Sequence, residues 1–291
     1  MIPNLINRAE PRAVALETTL LLHGVPRQSA AELARTLVEI VRKHGASPTL
    51  IALVRGQAIV GLNDAELAEL LAAPDVPKAN TANLGVLMHR SRHAATTVST
   101  TMELAASAGV RVFATGGLGG VHRGCAEHFD VSSDLAALTR FPVAVVSSGV
   151  KSILDVVATR EALETLGVPV VGFRTDRFPA FYQRESTAGV DARFDDPADL
   201  AGFIRMELAR SGRGVLVVNP VPAEHEIDAG KWRAWLDLAM DRARAKGVSG
   251  RDLTPALLAA VHELSGGVTL RANVELVKSN AVLAAKIAAA L

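Results

Sequence analysis

Hydrophobic positions fall into two patterns that alternate along the chain. Short, β-branched runs at 13–16, 48–54, 57–62, 110–114, 143–146, 168–172 and 214–218 are bounded by turn residues, as strands buried on both faces tend to be. Between them, apolar residues recur at helical spacing. Leu33, Leu37, Ile40 and Val41 predict a helix capped by Ser29, running to about His44 and stopped by Gly45. The same spacing predicts helices over 97–108, 151–167 and 197–211, and Asn63-Asp-Ala-Glu66 reads as a capping box. From Ile227 onward the pattern is helical. Trp232, Trp235, Leu236, Ala239 and Ala243 mark a core face, Asp252-Leu-Thr-Pro255 caps a second helix, and the last runs from about Thr269. That last helix carries Asn273 and Asn280 on one face, two turns apart. Residues 174–193 form a long irregular segment, either a lid over a pocket or a surface excursion. The strand, helix, strand alternation predicts parallel α/β layering.

Polar chemistry concentrates between 113 and 155. Thr115-Gly-Gly-Leu-Gly-Gly-Val-His-Arg-Gly124 follows one strand, Phe129-Asp-Val-Ser-Ser-Asp134 comes next, and Ser147-Ser-Gly-Val-Lys151 follows the next strand. Polar groups after parallel strands gather at the carboxyl edge of the sheet, where ligands bind. The glycines suit either close approach of backbone N–H groups to an anion or a tight connection. Neither standard phosphate motif is complete: His122 stands where Gly117-Leu-Gly119 would need a glycine, and no Gly-Lys-Ser/Thr follows. Lys151 is predicted at the first turn of a helix, where partial burial and the helix dipole favour the neutral, nucleophilic amine. The alternative is a solvated lysine whose stem covers apolar surface. No G-x-S-x-G elbow surrounds Ser132, Ser133, Ser147 or Ser148. His122, Glu127, His128 and Asp130 match no zinc spacing.

Composition narrows the partners. A chain of 291 residues can bury a large core, as one large domain or two smaller ones. A net charge of +1 with scattered basic residues argues against a nucleic-acid surface. Cys125 is the only cysteine, which excludes an intrachain disulfide and points to a reducing cytoplasm. The first residues lack a signal-peptide pattern, and no apolar run is long enough for a bilayer, so no membrane partner is expected.

The run Ala114-Thr-Gly-Gly-Leu-Gly-Gly-Val-His-Arg-Gly124, with Phe129-Asp-Val-Ser-Ser-Asp-Leu135 and Lys151-Ser-Ile-Leu-Asp155, resembles the pseudouridine-5′-phosphate glycosidase family, also called the indigoidine synthase A family. Ala15-Leu-Glu-Thr-Thr19 with His23-Gly24, Ala95-Thr-Thr-Val-Ser-Thr-Thr-Met102 and Val218-Asn-Pro-Val-Pro222 resemble further blocks in the same order. The resemblance spans nearly the whole chain. It implies a single three-layer α/β/α domain over 1–291 with a central, largely parallel or mixed sheet. It also implies an enzyme that reversibly cleaves the C–C glycosidic bond of pseudouridine 5′-phosphate to uracil and ribose 5-phosphate.

Carried over by position, Lys151 attacks the anomeric carbon as the sugar ring opens and passes through an imine. Glu17 and Asp134 move protons, and Thr115, His122 and Asn273 support them. Lys78, Ser132, Ser133, Asp134 and the backbone at Val98 position the substrate. Asp130 holds Mn²⁺, with Mg²⁺ as the alternative, largely through water, and the family implies a homotrimer. The chain departs from the family at Thr81-Ala-Asn83, where a basic pair and an aspartate are usual, at Ala94-Ala95, where a glycine is usual, and at Glu127-His128, a pair usually one position earlier. Two other readings are an imine-forming aldolase or lyase on another sugar phosphate, and a sugar-phosphate binding protein without turnover.

Overall fold

Parallel pairing of the β-branched runs builds the centre of the protein. The computed structural model describes residues 2–248 and 253–291. Among them, eleven strands form one sheet: β1 (Ile6–Asn7), β2 (Ala13–Glu17), β3 (Ser47–Val54), β4 (Gln57–Val60), β5 (Lys78–Ala79), β6 (Ala94–Thr96), β7 (Val112–Ala114), β8 (Ala144–Ser147), β9 (Val170–Phe173), β10 (Ala192–Phe194) and β11 (Val215–Val218). Their order is β1-β4-β3-β2-β7-β8-β11-β9-β10, with β6 on β3 and β5 on β6. From β3 through β2 to β10 every pairing is parallel, while β4 and β6 run antiparallel to β3. The sheet is therefore mixed and largely parallel. β8 and β11 are buried along their whole length, which is why they read as unbroken apolar runs.

The helices are α1 (Arg27–Lys43), α2 (Asp64–Ala72), α3 (Leu84–His89), α4 (Val98–Ser107), α5 (Cys125–His128), α6 (Ser133–Arg140), α7 (Val156–Thr165), α8 (Pro197–Ser211), α9 (Ala229–Ala245), α10 (Leu253–Leu264) and α11 (Val268–Ala290). They flank the sheet in a three-layer α/β/α arrangement. α11 packs between α1 and α8 and crosses β2, β7 and β8, whereas α4 and α6 pack on each other. The alanine-rich end of the chain is this central helix. Ala281, Ala284, Ala285 and Ala288 are buried beside Leu283 and Ile287, and small side chains let its backbone approach the sheet closely.

Several boundaries differ from expectation. α1 begins at Arg27 with Pro26 at its N-cap, and Ser29 lies inside the first turn rather than capping it. Gly45, at φ +82°, follows α1 as anticipated. The capping box at Asn63 and Glu66 is present, and Asp196 caps α8 ahead of Pro197. The cap expected at 252–255 lies outside the described residues. α7 starts only at Val156, capped by Asp155, so Lys151 sits in the preceding loop and not on a helix turn. The 174–193 segment, expected as a lid over a pocket or a surface excursion, is packed into the fold at its aromatic residues and ends in β10. Phe178, Phe181 and Tyr182 are buried, and Tyr182 packs 5.2 Å from Trp232 of α9, ring centre to ring centre. Trp235 is only half-buried, unlike its four companions on that helix face. No helix among the described residues is long and apolar enough to cross a membrane.

Candidate active site

The carboxyl ends of β2, β7 and β8 coincide because Leu16 pairs with Ala114, and Ala114 with Val146. Glu17, Thr115 and the loop to Lys151 therefore leave the sheet side by side. Lys78 arrives from β5 and Asn273 from α11, and all five side chains line one cavity of about 650 Å³. That volume suits a nucleotide-sized ligand. Leu20, Phe181, Tyr182, Leu258 and Leu270 form its apolar wall.

The charges in this cavity act on one another. Thr115 Oγ1 donates to a Glu17 carboxylate oxygen. Burial raises the Glu17 pKa above the ordinary glutamate value; Lys151, the Thr115 hydrogen bond and Lys78 pull it back, and Asp134 adds to the rise. Burial and then the Lys151 charge push Lys78 below the ordinary lysine value, against Glu17. His23, from the π-helical turn Leu20–Gly24, is pushed down by burial and by Lys78. Lys151 joins them from the loop ahead of α7 and not from a helix turn.

Much of the glycine loop serves close packing, while Gly116 and Gly117 line the cavity. The N–H groups of Leu118, Gly119, Val121 and His122 donate to Gly149 O, Asp134 Oδ2, Thr159 Oγ1 and Asp130 O, so they are not free for a phosphate. A Cβ at Gly117 would lie 2.5 Å from Phe181, and one at Gly119 2.3 Å from Ser132 Oγ. The loop in turn fixes Lys151, whose backbone N–H donates to Leu118 O at 3.1 Å.

The remaining expected residues do not line this cavity. Asp134 is buried and accepts from Ser99 N at 3.0 Å and Gly119 N at 2.8 Å, so it ties α4 to the glycine loop. Ser132 caps α6, Ser133 Oγ lies 3.1 Å from Ser99 Oγ, and Val98 is buried at the start of α4. His122 lines a separate cavity of about 320 Å³ together with Arg123, Asp237 and Arg244. The two asparagines of α11 part company. Asn280 donates to Thr115 O at 2.8 Å and accepts from Asn219, bridging loops, while Asn273 Oδ1 is buried without a hydrogen-bond partner among the described residues.

The indigoidine synthase A like protein family model matches residues 3–290. The chain belongs to that family. A pseudouridine-5′-phosphate glycosidase of Caldanaerobacter subterraneus is 46% identical over 96% of this chain and 91% of its own length. One of Hahella chejuensis is 48% identical over 95% of this chain and 92% of its own length. The crystal structure of an indigoidine synthase A-like protein of Thermotoga maritima superposes with a TM-score of 0.89 at 37% identity, covering 98% of this chain and 95% of that one. The prealnumycin C-glycosynthase AlnA, in complex with ribulose 5-phosphate, superposes with a TM-score of 0.88 at 36% identity, covering 96% and 91%.

Two features of this indigoidine synthase A-like chain bear on its departures. The neutral Thr81-Ala-Asn83 stretch is ordered by its own amides: Asn83 Oδ1 accepts from Asn80 N at 2.8 Å, and Asn83 Nδ2 donates to Lys78 O at 3.0 Å. Amide hydrogen bonds thus hold the Lys78 backbone without charged side chains. Asn83→Ala is expected to raise KM roughly tenfold with kcat little changed, the sign of lost uniform binding; steady-state kinetics read the split. As for the metal, no group of three His, Cys, Asp or Glu side chains converges among the described residues. Asp130 is a half-exposed carboxylate with His122 Nδ1 3.5 Å away. A single hard oxygen donor open to solvent fits a hydrated Mn²⁺ or Mg²⁺ and not a protein-caged ion. His23, Phe181, Tyr182 and His262 also line the cavity and were missed in the sequence. Only the π turn at Leu20–Gly24 carries a structural hint, since such turns collect at functional sites.

Proposed function

We propose that the chain is a pseudouridine-5′-phosphate glycosidase that reversibly converts its substrate and water to uracil and ribose 5-phosphate. The observation that carries this reading is the meeting of the Lys151 amine with the raised-pKa carboxyl of Glu17 in one nucleotide-sized cavity. Relatives bearing that name match nearly the whole chain.

The chemistry needs an amine and a proton carrier. A carbon leaving group departs only when it is protonated and when electrons can be pushed from the sugar side. The Lys151 nitrogen attacks C1′, the C1′–O4′ bond breaks, and O4′ takes a proton. Uracil C5 then accepts a proton, the nitrogen lone pair forms C1′=N, and the C1′–C5 pair stays with the base. Water hydrolyses the imine to ribose 5-phosphate and frees the amine. Glu17, held by Thr115 and raised in pKa, supplies and recovers these protons. Lys78 offers a point charge for the phosphate, and the unpartnered Asn273 Oδ1 accepts from the substrate. Asp134, Ser132, Ser133 and the Val98 segment keep the loops in register, and His122 stands beside Asp130, outside this cavity.

We assign a hydrated Mn²⁺ or Mg²⁺ to Asp130, where it would offset negative charge when bound. Chelation should remove most activity and Mn²⁺ restore it, while Asp130→Ala should not be rescued; full activity after rigorous metal removal rejects the assignment. We also infer a homotrimer, testable by light scattering, and a cytoplasmic setting in keeping with the lone Cys125.

The ribulose 5-phosphate complex of the C-glycosynthase relative favours one second reading, a lyase acting through the same lysine on another sugar phosphate. Incubating the pure protein with uracil, ribose 5-phosphate and Mn²⁺ separates them. Formation of pseudouridine 5′-phosphate supports the first reading, and its absence, with imine formation intact, supports the second. Ligand binding without imine or product would mark a binding protein.

A further inference from the structure

The cavity has a polar wall that the reaction as described leaves unused. His262 of α10 lines it and is fastened from behind to α11. Its Nδ1 lies 2.5 Å from Thr269 Oγ1, which is fully buried. That oxygen lies 2.9 Å from Ser265 Oγ, and Ser265 Oγ lies 3.1 Å from the His262 carbonyl oxygen. Counting hydrogens fixes the roles. A carbonyl only accepts, so Ser265 gives its single proton to His262 O. Thr269 then donates to Ser265, and Thr269 Oγ1 accepts from His262 Nδ1–H. The other neutral tautomer would leave one of these three contacts without a proton. Nε2 is therefore a lone-pair acceptor, and no described residue hydrogen-bonds to it. Burial, which pushes His262 below the ordinary histidine value, keeps the ring in that neutral state.

Its place in the cavity suggests what it accepts from. Lys78, Lys151 and Glu17 gather at the sheet edge, whereas His262 stands with Leu258 and Leu270 on the helical side, with Phe181 and Tyr182 contributing aromatic wall. A sugar phosphate belongs beside the amines, and a planar base against the apolar wall. We propose that Nε2 of His262 accepts a hydrogen bond from a ring N–H of uracil and so selects and orients the base for C–C bond making and breaking. This rests on the reaction assigned above.

Two substitutions separate the front of the ring from its back. His262→Asn keeps a donor where Nδ1–H faces Thr269 but removes the cavity acceptor; His262→Gln places a carbonyl oxygen near the Nε2 position. In the synthetic direction, His262→Asn is expected to raise KM for uracil roughly tenfold. KM for ribose 5-phosphate and borohydride trapping of that sugar should stay at wild-type levels, and His262→Gln should recover most of the loss. Of 1-methyluracil and 3-methyluracil, the one whose KM no longer responds to His262→Asn identifies the nitrogen. An equal rise in KM for both substrates, an unchanged uracil KM, or a Gln variant no better than Asn at equal Tm overturns the inference. If the wild type turns over pseudouridine 5′-phosphate in that same experiment, only this inference falls; a wild type without that activity removes the assigned reaction and this inference together.

Discussion

Lys151→Ala is expected to abolish turnover while the protein stays folded, and borohydride is expected to trap ribose 5-phosphate on the peptide containing Lys151 in the wild type. Removing a nucleophile on which every bond change depends should cost roughly four powers of ten or more in kcat. The fold should tolerate the change, because the loop is held by backbone contacts, Lys151 N to Leu118 O and Leu154 N to Lys151 O, that alanine keeps. Lys78 is the rival. It lines the same cavity, and its pKa is lowered, which alone would favour it as the free amine. Among the charges acting on Glu17, Lys151 has the largest effect and Lys78 the smallest, which favours Lys151 as the partner of that carboxyl. On that ground we propose Lys151 as the attacking amine, in the same cavity as Glu17. Mass spectrometry of the reduced adduct decides the matter, and a label on Lys78 would reverse the two roles.

Much of this arrangement was legible in the sequence, for reasons that also explain what was not. β-branched runs announce strands buried on both faces, and residues following three parallel neighbours must share an edge; hence Glu17, Thr115 and Lys151 could be placed together. The position of Lys151 relative to α7 was misread because helical spacing of apolar residues does not mark a start. Leu154 is buried yet lies ahead of the Asp155 cap. Glycine content signalled close approach but not to what, since Phe181, Ser132, Thr159 and Pro179 come from distant segments. Asn273 and Asn280 share a helix face, but two turns separate them by about 10 Å, enough for one to reach the cavity and the other the loops. His262 left no trace, because a single histidine on an apolar helix gains meaning only when Thr269 and Ser265 fold up behind it.

Glu17→Gln should uncouple stability from activity. Turnover is expected to fall by about 10²–10⁴, the range for a lost general acid–base group, because glutamine keeps the shape and the Thr115 contact but carries no transferable proton. In the wild type, the step that needs the protonated carboxyl should slow as pH rises through the raised Glu17 pKa. That limb should vanish from the residual activity of the variant. The substitution should have the opposite effect on stability. A carboxyl whose folded pKa lies above its unfolded value binds more protons folded than unfolded, so stability declines as pH rises between the ordinary value of 4.5 and the raised one, and stays lower above it. Glutamine carries no charge to desolvate, so the Tm of Glu17→Gln should exceed that of the wild type above this window and converge with it below pH 4.5. Thermal melts of both proteins across pH measure the crossover. A variant less stable than wild type at neutral pH would mean that pairing with Lys151 and Lys78 outweighs desolvation, leaving Glu17 ionised at rest and able to act first only as a base.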